Sequence, residues 1–318
     1  SSFFVYAEYS VTHIQWKYYR YRDFKRNCYA NYMDDHSNCN WKGFDESFHK
    51  ACSCSGRISV MRVYLKMMVL NLESQMQYKI SFFMTVLGQF ITAFAGLFSI
   101  KFIFDHVDKI YGFNYTDVIL CYAIVVLSFS IGEAIGGGLA RFGSILGNGE
   151  FDRALVRPAN VVFQVLAPSV DFTRIGLLIQ AVGTLAYAIG KSDIQWDYKK
   201  IITLALMIVC GSILFFSMFL FKATFAFFTV QDLDFLNIFT YGAKEYGKYP
   251  FSIYGKTVLS ILTYIIPLAL FQYYPLLYII GRKSEAYYIG FPLLSLVFLI
   301  PCCLFFKLGV RRYKSIGS

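Results

Sequence analysis

The feature that most constrains this chain is a series of apolar runs long enough to cross a lipid bilayer. A helix needs about 20 mostly apolar residues to span the hydrocarbon core. Only 16% of the 318 residues are charged, and 57% are hydrophobic. The sequence therefore predicts an all-α, polytopic membrane protein with six transmembrane helices. The six runs are Ile80–Phe104, Val118–Gly138, Phe172–Gly190, Ile201–Phe221, Val258–Ile280 and Tyr287–Val310.

The residues just before the first run predict an additional helix of a different kind. From Met61 to Met76, apolar side chains recur at helical spacing, and charged or amide side chains such as Arg62, Lys66 and Glu73 fall on the opposite side. Such a helix is too charged to span a membrane and suits the interface. An extension of the first span is the alternative.

Residues 1–60 differ sharply from the rest, because they are polar and aromatic and lack a run long enough to span. We expect them to be a non-native or disordered N-terminal extension, with Met61 as the true start of a domain covering residues 61–318. Codons for the residues before Met61 can form a purine-rich stretch of the kind that precedes a bacterial start codon. Cys39, His49, Cys52 and Cys54 could bind zinc, but their spacing is irregular for a zinc site.

Charge between the runs predicts the orientation. If the Met61 helix begins in the cytoplasm, fifteen Lys and Arg lie inside and seven outside, and positive charge favours the inside. Both ends of 61–318 are then cytoplasmic, with long inner segments at about Leu139–Asp171 and Lys222–Lys256. Lys244 and Lys248 belong to the second. The net charge of +10 is explained by topology and lipid head groups, so we expect no nucleic-acid partner.

Catalytic patterns are missing from the sequence. Only four His occur, and His106 is the only one of them beyond Met61. The run Gly136–Gly138 lacks the Gly-Lys-Ser/Thr of a phosphate-binding loop. We therefore expect no catalytic residues, no metal and no cofactor bound by this chain.

Glu133 is the ionisable residue that stands out within a predicted span. Charged groups inside the bilayer are costly and commonly functional, so Glu133 could make a polar helix contact or act in gating. Alternatively, it could reach cytoplasmic water or pair with Arg141.

The first inner segment predicts a short helix between the second and third spans. Glu150 and Asp152 favour a helix start through the macrodipole, and Phe151 and Leu155 form its apolar face. Pro158 biases the preceding residue away from helix and ends the element. A short rigid helix outside the bilayer can pass force from a soluble motor to the spans. An ordinary structured loop is the alternative.

This segment resembles that of ABC-2-type permease subunits of ABC transporters, in the bacterial branch called ABC-2 family transporter proteins. The matching residues are Gly149, Phe151, Asp152, Leu155, Arg157, Pro158, Asn160 and Gln164. A second similar element consists of Tyr249, Pro250, Tyr254, Ile266, Pro267 and Tyr273–Pro275. The resemblance covers about Met61 to Arg312.

The resemblance implies a bacterial cell-membrane permease, an exporter in most such systems, that pairs with a second permease and with two copies of a separate ATPase. ATP and Mg²⁺ would bind to that ATPase. The short helix would be the coupling helix that docks on it. Phe151 and Leu155 would supply buried contact, and Asp152, Arg153 and Arg157 polar contacts. Pro158 would stiffen the exit of the helix, and Gly149 belongs to the same docking set.

Three alternatives stay open at this point. A channel or secondary transporter would work without ATP, but would be expected to have more buried ionisable groups or an inverted repeat. A membrane-bound enzyme would need clustered His, Asp or Glu. A membrane subunit that only anchors or senses is also compatible with the sequence, and the substrate cannot be deduced from it.

Overall fold

A computed structural model describes residues 69, 72–155, 170–192, 194–229 and 231–313, without the side chains of Arg153 and Ala154. All of them lie within one compact unit, Val60–Ser318. Several predictions lie outside the described residues. These are the N-terminal extension, the start at Met61, the zinc set Cys39, His49, Cys52 and Cys54, nearly all of the interfacial helix, and residues Arg157, Pro158, Asn160 and Gln164.

Helices and short 3-10 turns make up the ordered elements of the described residues, so the all-α prediction is confirmed. The α-helices are α1 (Lys79–Phe104), α2 (Tyr115–Gly136), α3 (Phe142–Gly147), α4 (Glu150–Leu155), α5 (Ile175–Lys191), α6 (Tyr198–Thr229), α7 (Tyr241–Gly247), α8 (Lys256–Tyr264), α9 (Leu268–Phe271), α10 (Tyr273–Ile280), α11 (Phe291–Ser295) and α12 (Leu299–Arg312).

Five continuous helical segments among the described residues are long and apolar enough to cross a membrane. They are Leu72–Phe104, Tyr115–Gly147, Phe172–Lys191, Tyr198–Thr229 and Ala286–Arg312. The predicted fifth span, Val258–Ile280, is instead two helical pieces that meet at an angle of 89°. Pro267 lies at this break, and a proline removes a backbone donor and clashes with the preceding turn. The chain is a multi-pass membrane protein whose described residues contain five such helices, or six if the bent pair forms one span.

Helix α2 is the centre of the bundle. It begins with a capping box, in which the Asn114 amide donates to Asp117 Oδ2 at 3.0 Å, and most of its side chains are buried. It packs closely on α6, where a Cβ on Gly132 would lie 2.8 Å from both the Ser212 carbonyl oxygen and Phe215 Cβ. Small residues of this kind allow membrane helices to approach closely without a hydrophobic driving force.

The two ends of the bundle are marked by different contacts. At one end, the Arg282 guanidinium donates to the Gly112 carbonyl and lies 3.8 Å from the ring centroid of Phe113. At the other end, Phe151 packs on Phe142. We call these the Arg282 end and the Phe151 end. Helix α2 runs from the first to the second.

The segment after α6 contradicts the prediction that Lys222–Lys256 lies outside the spans. The Tyr241 ring lies 5.7 Å from the Phe129 ring, and a Cβ on Gly247 would lie 3.1 Å from Val125. Helix α7 therefore runs antiparallel to α2 along its middle, instead of projecting beyond the Phe151 end. Periodicity does not reveal this arrangement, because α7 is short and carries two charged residues, with Lys248 directly after it. Lys244 and Lys248 no longer count as inner-loop charges, which leaves thirteen basic residues inside against seven outside.

Gln272 connects α7 to the bent pair of helices by hydrogen bonds. Its buried side-chain Nε2 donates to the carbonyls of Gly247 at 2.8 Å and Tyr249 at 3.2 Å. An amide group buried in the bundle is costly unless it is hydrogen-bonded. The break that precedes α10 is thus held to the end of α7 by polar contacts.

Helix α5 meets α1 through a second close approach. A Cβ on Gly176 would lie 2.4 Å from the Val86 carbonyl oxygen, so the two helices touch through their backbones at this point. Small residues allow membrane helices to approach this closely. Gly183, on the same helix, has no atom within 4 Å of its ideal Cβ position.

We predict that Gly176→Ala lowers the thermal stability of the purified protein in detergent, because the new methyl group forces α5 away from α1. The clash must outweigh the gain in helix propensity, which is about 1 kcal/mol for Gly to Ala. Gly183→Ala is the matched control and should leave the melting temperature unchanged or raise it. Equal melting temperatures for the two variants would contradict the close contact.

Candidate functional site

The short helix predicted from the loop motif is present as α4, Glu150–Leu155. Gly149 precedes it with a φ of +65°, a left-handed conformation that favours glycine. The turn lets the chain reverse after α3 and start α4 at once. Glu150 and Asp152 lie in the first turn of α4, where negative charge is favourable to the helix dipole.

Phe151 lies in the interior of this chain, with 0% of its side chain exposed. Its ring makes edge-to-face contacts with Phe142 at 5.5 Å, Phe227 at 5.2 Å and Tyr313 at 5.0 Å between centroids. Phe306 completes the group by packing on Phe142 and Phe227. We call these five side chains the aromatic anchor. It fixes α4 to the ends of α6 and α12.

Helix α3 is held to the start of the segment after α6. The Gly143 amide donates to Asp232 Oδ1 at 2.8 Å, and a Cβ on Gly143 would lie 2.5 Å from the Asp232 nitrogen. Phe142, the neighbouring residue, belongs to the aromatic anchor. Helix α4 is therefore connected by direct contacts to α3 and α6, and through α3 to the segment that leads into α7.

Leu155 lies at the far end of α4 and is 41% exposed. Asp152 is half-buried and takes part in an interaction of its own. The structure describes only the backbone of Arg153. The predicted apolar face is thus divided, because Phe151 points into the bundle while Leu155 remains accessible to a partner.

Glu133 lies near the Phe151 end of α2 and is 1% exposed. Its Oε1 is 3.1 Å from Nη2 of Arg174, and Nε of Arg174 is 3.4 Å from Asp171 Oδ2. Tyr241 of α7 is also adjacent to the Glu133 carboxylate. The partner is therefore Arg174 instead of the expected Arg141, and the carboxylate is buried instead of reaching water. The pair joins α2 to the start of the third span.

Gln75 makes a further contact between two segments at the Phe151 end. Its side-chain Nε2 donates to the Val170 carbonyl at 2.9 Å, and its Oε1 accepts from the Phe172 amide at 3.1 Å. The sequence analysis did not identify Gln75 or Arg174 as candidate site residues. A signal for Arg174 was available, because consecutive antiparallel spans place it at the same depth as Glu133.

Among the described residues, no group of three or more His, Cys, Asp or Glu side chains is placed to hold a metal ion. The contacts at the Phe151 end join several structural elements. They connect a short exposed helix to several long helices through buried aromatic and ionic contacts.

A family comparison decides the class of the protein. The family described as ABC-2 family transporter protein matches residues 90–317, which is well over half of the chain. This chain belongs to the ABC-2 transporter family. It is therefore a membrane permease component of an ABC transporter, and this family works with an ABC ATPase subunit. The match begins inside α1, whereas the resemblance in the sequence extended to Met61.

Searches of curated proteins and of solved structures found no match. Membership in the ABC-2 family gives α4 a context. It lies between the second and third spans, where the sequence resemblance implies a short helix, and Phe151 anchors it to the long helix α6.

We predict that Phe151→Ala destabilises the permease by roughly 3–5 kcal/mol, the range for deleting a buried aromatic ring. Leu155→Ala should cost much less, because its side chain is partly exposed. Thermal unfolding of both variants in the same detergent provides the measurement. If Leu155→Ala proves as damaging as Phe151→Ala, the proposed division of the two faces of α4 is wrong.

We predict that Arg174→Gln destabilises the protein more than Glu133→Gln does. Breaking a buried pair costs about 3–5 kcal/mol when a charge is left without its partner, and Glu133 is the more deeply buried of the two. The double substitution should recover part of the loss in a double-mutant cycle. Arg141→Gln is the control, because Arg141 is exposed. A larger loss for Arg141→Gln than for Arg174→Gln would contradict the assigned pair.

Proposed function

We propose that this chain is the permease subunit of a bacterial ABC exporter, in which α4 docks on a separate ATPase at the cytoplasmic face. The observation that carries the proposal is the division of α4 into an exposed and an anchored side. Leu155 is available to a partner, while Phe151 is locked into the ends of α6 and α12. Such a helix can be pushed from outside and can pass the displacement to the spans.

In this proposal the Phe151 end faces the cytoplasm of a bacterial cell, and both ends of residues 61–318 lie on that side. The distribution of Lys and Arg supports this orientation. ATP and Mg²⁺ bind to the ATPase subunits, and this chain supplies no catalytic residue. Asp152, Arg153 and Arg157 make the polar contacts with the motor, Gly149 shapes the turn before α4, and Pro158 stiffens the exit.

We further propose that the permease works as a dimer, with itself or with a second permease. Helix α1 supports this, because it leaves large apolar side chains such as Phe98 and Phe102 exposed. Lipid and a second permease can share this surface. Closure of two ATPase subunits would move the two copies of α4 and alternate access between the two sides of the membrane.

We predict that Leu155→Asp abolishes copurification with the ABC ATPase partner of this permease, and abolishes the coupling of that ATPase to the permease. The cause is a charge placed in an apolar contact. Val107→Asp is the matched control, because Val107 is an exposed aliphatic residue just beyond α1 at the Arg282 end. It should leave binding and ATP hydrolysis unchanged.

Both variants should unfold at the temperature of the parent protein, which separates a docking defect from a folding defect. If Val107→Asp disrupts ATPase binding and Leu155→Asp does not, the motor docks at the opposite end and the orientation is reversed. If the parent protein binds no ATPase, the coupling proposal fails.

A further inference from the structure

Three charged side chains lie on and just after α7, beside the middle of the bundle. Lys244, Glu245 and Lys248 form what we call the α7 charge cluster. Lys244 Nζ lies 5.0 Å from the ring centroid of Phe129, and Lys248 Nζ lies 5.8 Å from that of Tyr122. Both rings belong to α2. The cluster is thus placed by contacts with a long, buried helix.

The depth of the cluster follows from the helix rise of 1.5 Å per residue. Tyr122 lies about 10 Å from the start of α2, and Phe129 lies about 10 Å from its end. Contacts with helix α1 place the cluster at the same depth. The Tyr122 hydroxyl donates to the Ala93 carbonyl at 2.8 Å, and Lys248 Nζ lies 3.5 Å from where a Cβ on Gly96 would be. Ala93 and Gly96 both lie well inside α1.

The charges of the cluster do not cancel. Lys244 Nζ is 3.3 Å from Glu245 Oε1, and Lys248 donates to Glu245 Oε2. One carboxylate therefore serves two ammonium groups, which leaves an excess of one positive charge. The next carboxylate toward the Phe151 end is Glu133, which shares Arg174 with Asp171 and also attracts Lys244. The uncompensated positive charge of the cluster therefore lies on its Lys248 side, beside Tyr122.

The cluster is also accessible in the single chain. The Glu245 side chain is 57% exposed, and Lys244 and Lys248 retain 21% and 17%. Charged groups at this depth are strongly disfavoured in contact with hydrocarbon and normally face a water-filled cavity or protein. A surface with excess positive charge is complementary to an anion. Neighbouring tyrosines, among them Tyr246 and Tyr254, add hydroxyl groups carried on apolar rings.

We infer that the α7 charge cluster lines the translocation path and receives an acidic group, such as a phosphate or carboxylate, of the transported molecule. This inference rests on the proposed transport function and deepens it by naming a substrate class. The acidic group competes with Glu245 for the two ammonium groups, while Phe129 and Tyr122 hold the lysine stems in place. No bond is made or broken in the process.

The test measures the reactivity of Glu245→Cys in a cysteine-free background, with the permease in lipid nanodiscs. Three probes are compared: an anionic and a cationic water-soluble methanethiosulfonate, and a lipid-soluble maleimide. We expect the anionic probe to react about tenfold faster than the cationic probe, because two ammonium groups flank the position in a region of low dielectric. Lys244→Met and Lys248→Met, added to Glu245→Cys, should each reduce that preference.

Val209→Cys is the matched control, because Val209 is exposed on α6 close to Gly211, which contacts Ser128 of α2. It should react with the lipid-soluble maleimide and only slowly with the two charged probes. Equal reaction of Val209→Cys with the charged probes would remove the evidence for a path at α7.

Other outcomes overturn the inference directly. Labelling of Glu245→Cys by the maleimide alone would place the cluster against lipid. Failure to react with all three probes, or disulfide crosslinking between two copies, would place it under a partner subunit. Equal rates for the anionic and cationic probes would exclude an anion-selective site. The measurement needs no ATPase, so the failure of motor docking at Leu155 would leave this result independently interpretable.

Discussion

Hydrocarbon offers neither hydrogen bonds nor screening, and this constraint governs every polar group within the bundle. The chain meets it by pairing polar groups with one another. Glu133 is buried against Arg174, and Gln272 donates to carbonyls at the end of α7. Each contact joins segments that are distant in sequence. These polar contacts therefore fix the relative positions of the segments they join, alongside the close glycine contacts and the aromatic anchor.

The junction at the Phe151 end depends on a different interaction. Five aromatic rings from α3, α4, α6, α12 and the residue after α12 pack together around Phe151. Edge-to-face packing of rings is directional and dense, so this anchor resists deformation more than a loop would. A force applied at Leu155 reaches the long helices through contacts already made in the isolated chain. The proposed mechanism needs this stiffness.

The segment from the end of α6 to α10 is folded differently from what the sequence predicts, and it contains the charged residues of the proposed transport path. It was expected as an inner loop followed by one span, Val258–Ile280. Instead it runs back along α2, and the helices that follow meet at an 89° break. Lys222, near the end of α6, donates to Asn237 at 2.8 Å and holds the start of this return. As a result, charged residues that look like loop residues in the sequence lie beside the middle of two long helices. This is the part of the permease that differs most from a simple bundle.

The sequence by itself determined the membrane class, the approximate limits of five long helices, the short helix at Glu150–Leu155 and the transporter family. Each rests on local information: the length of an apolar run, the start signals of a helix, or a motif of adjacent residues. Tertiary structure alone decided that Phe151 faces inward, that Glu133 pairs with Arg174, and that α7 returns into the bundle. These depend on contacts between residues tens of positions apart or more, and on which face of a short helix meets its neighbours. Periodicity over six or seven residues is too short to specify such a face.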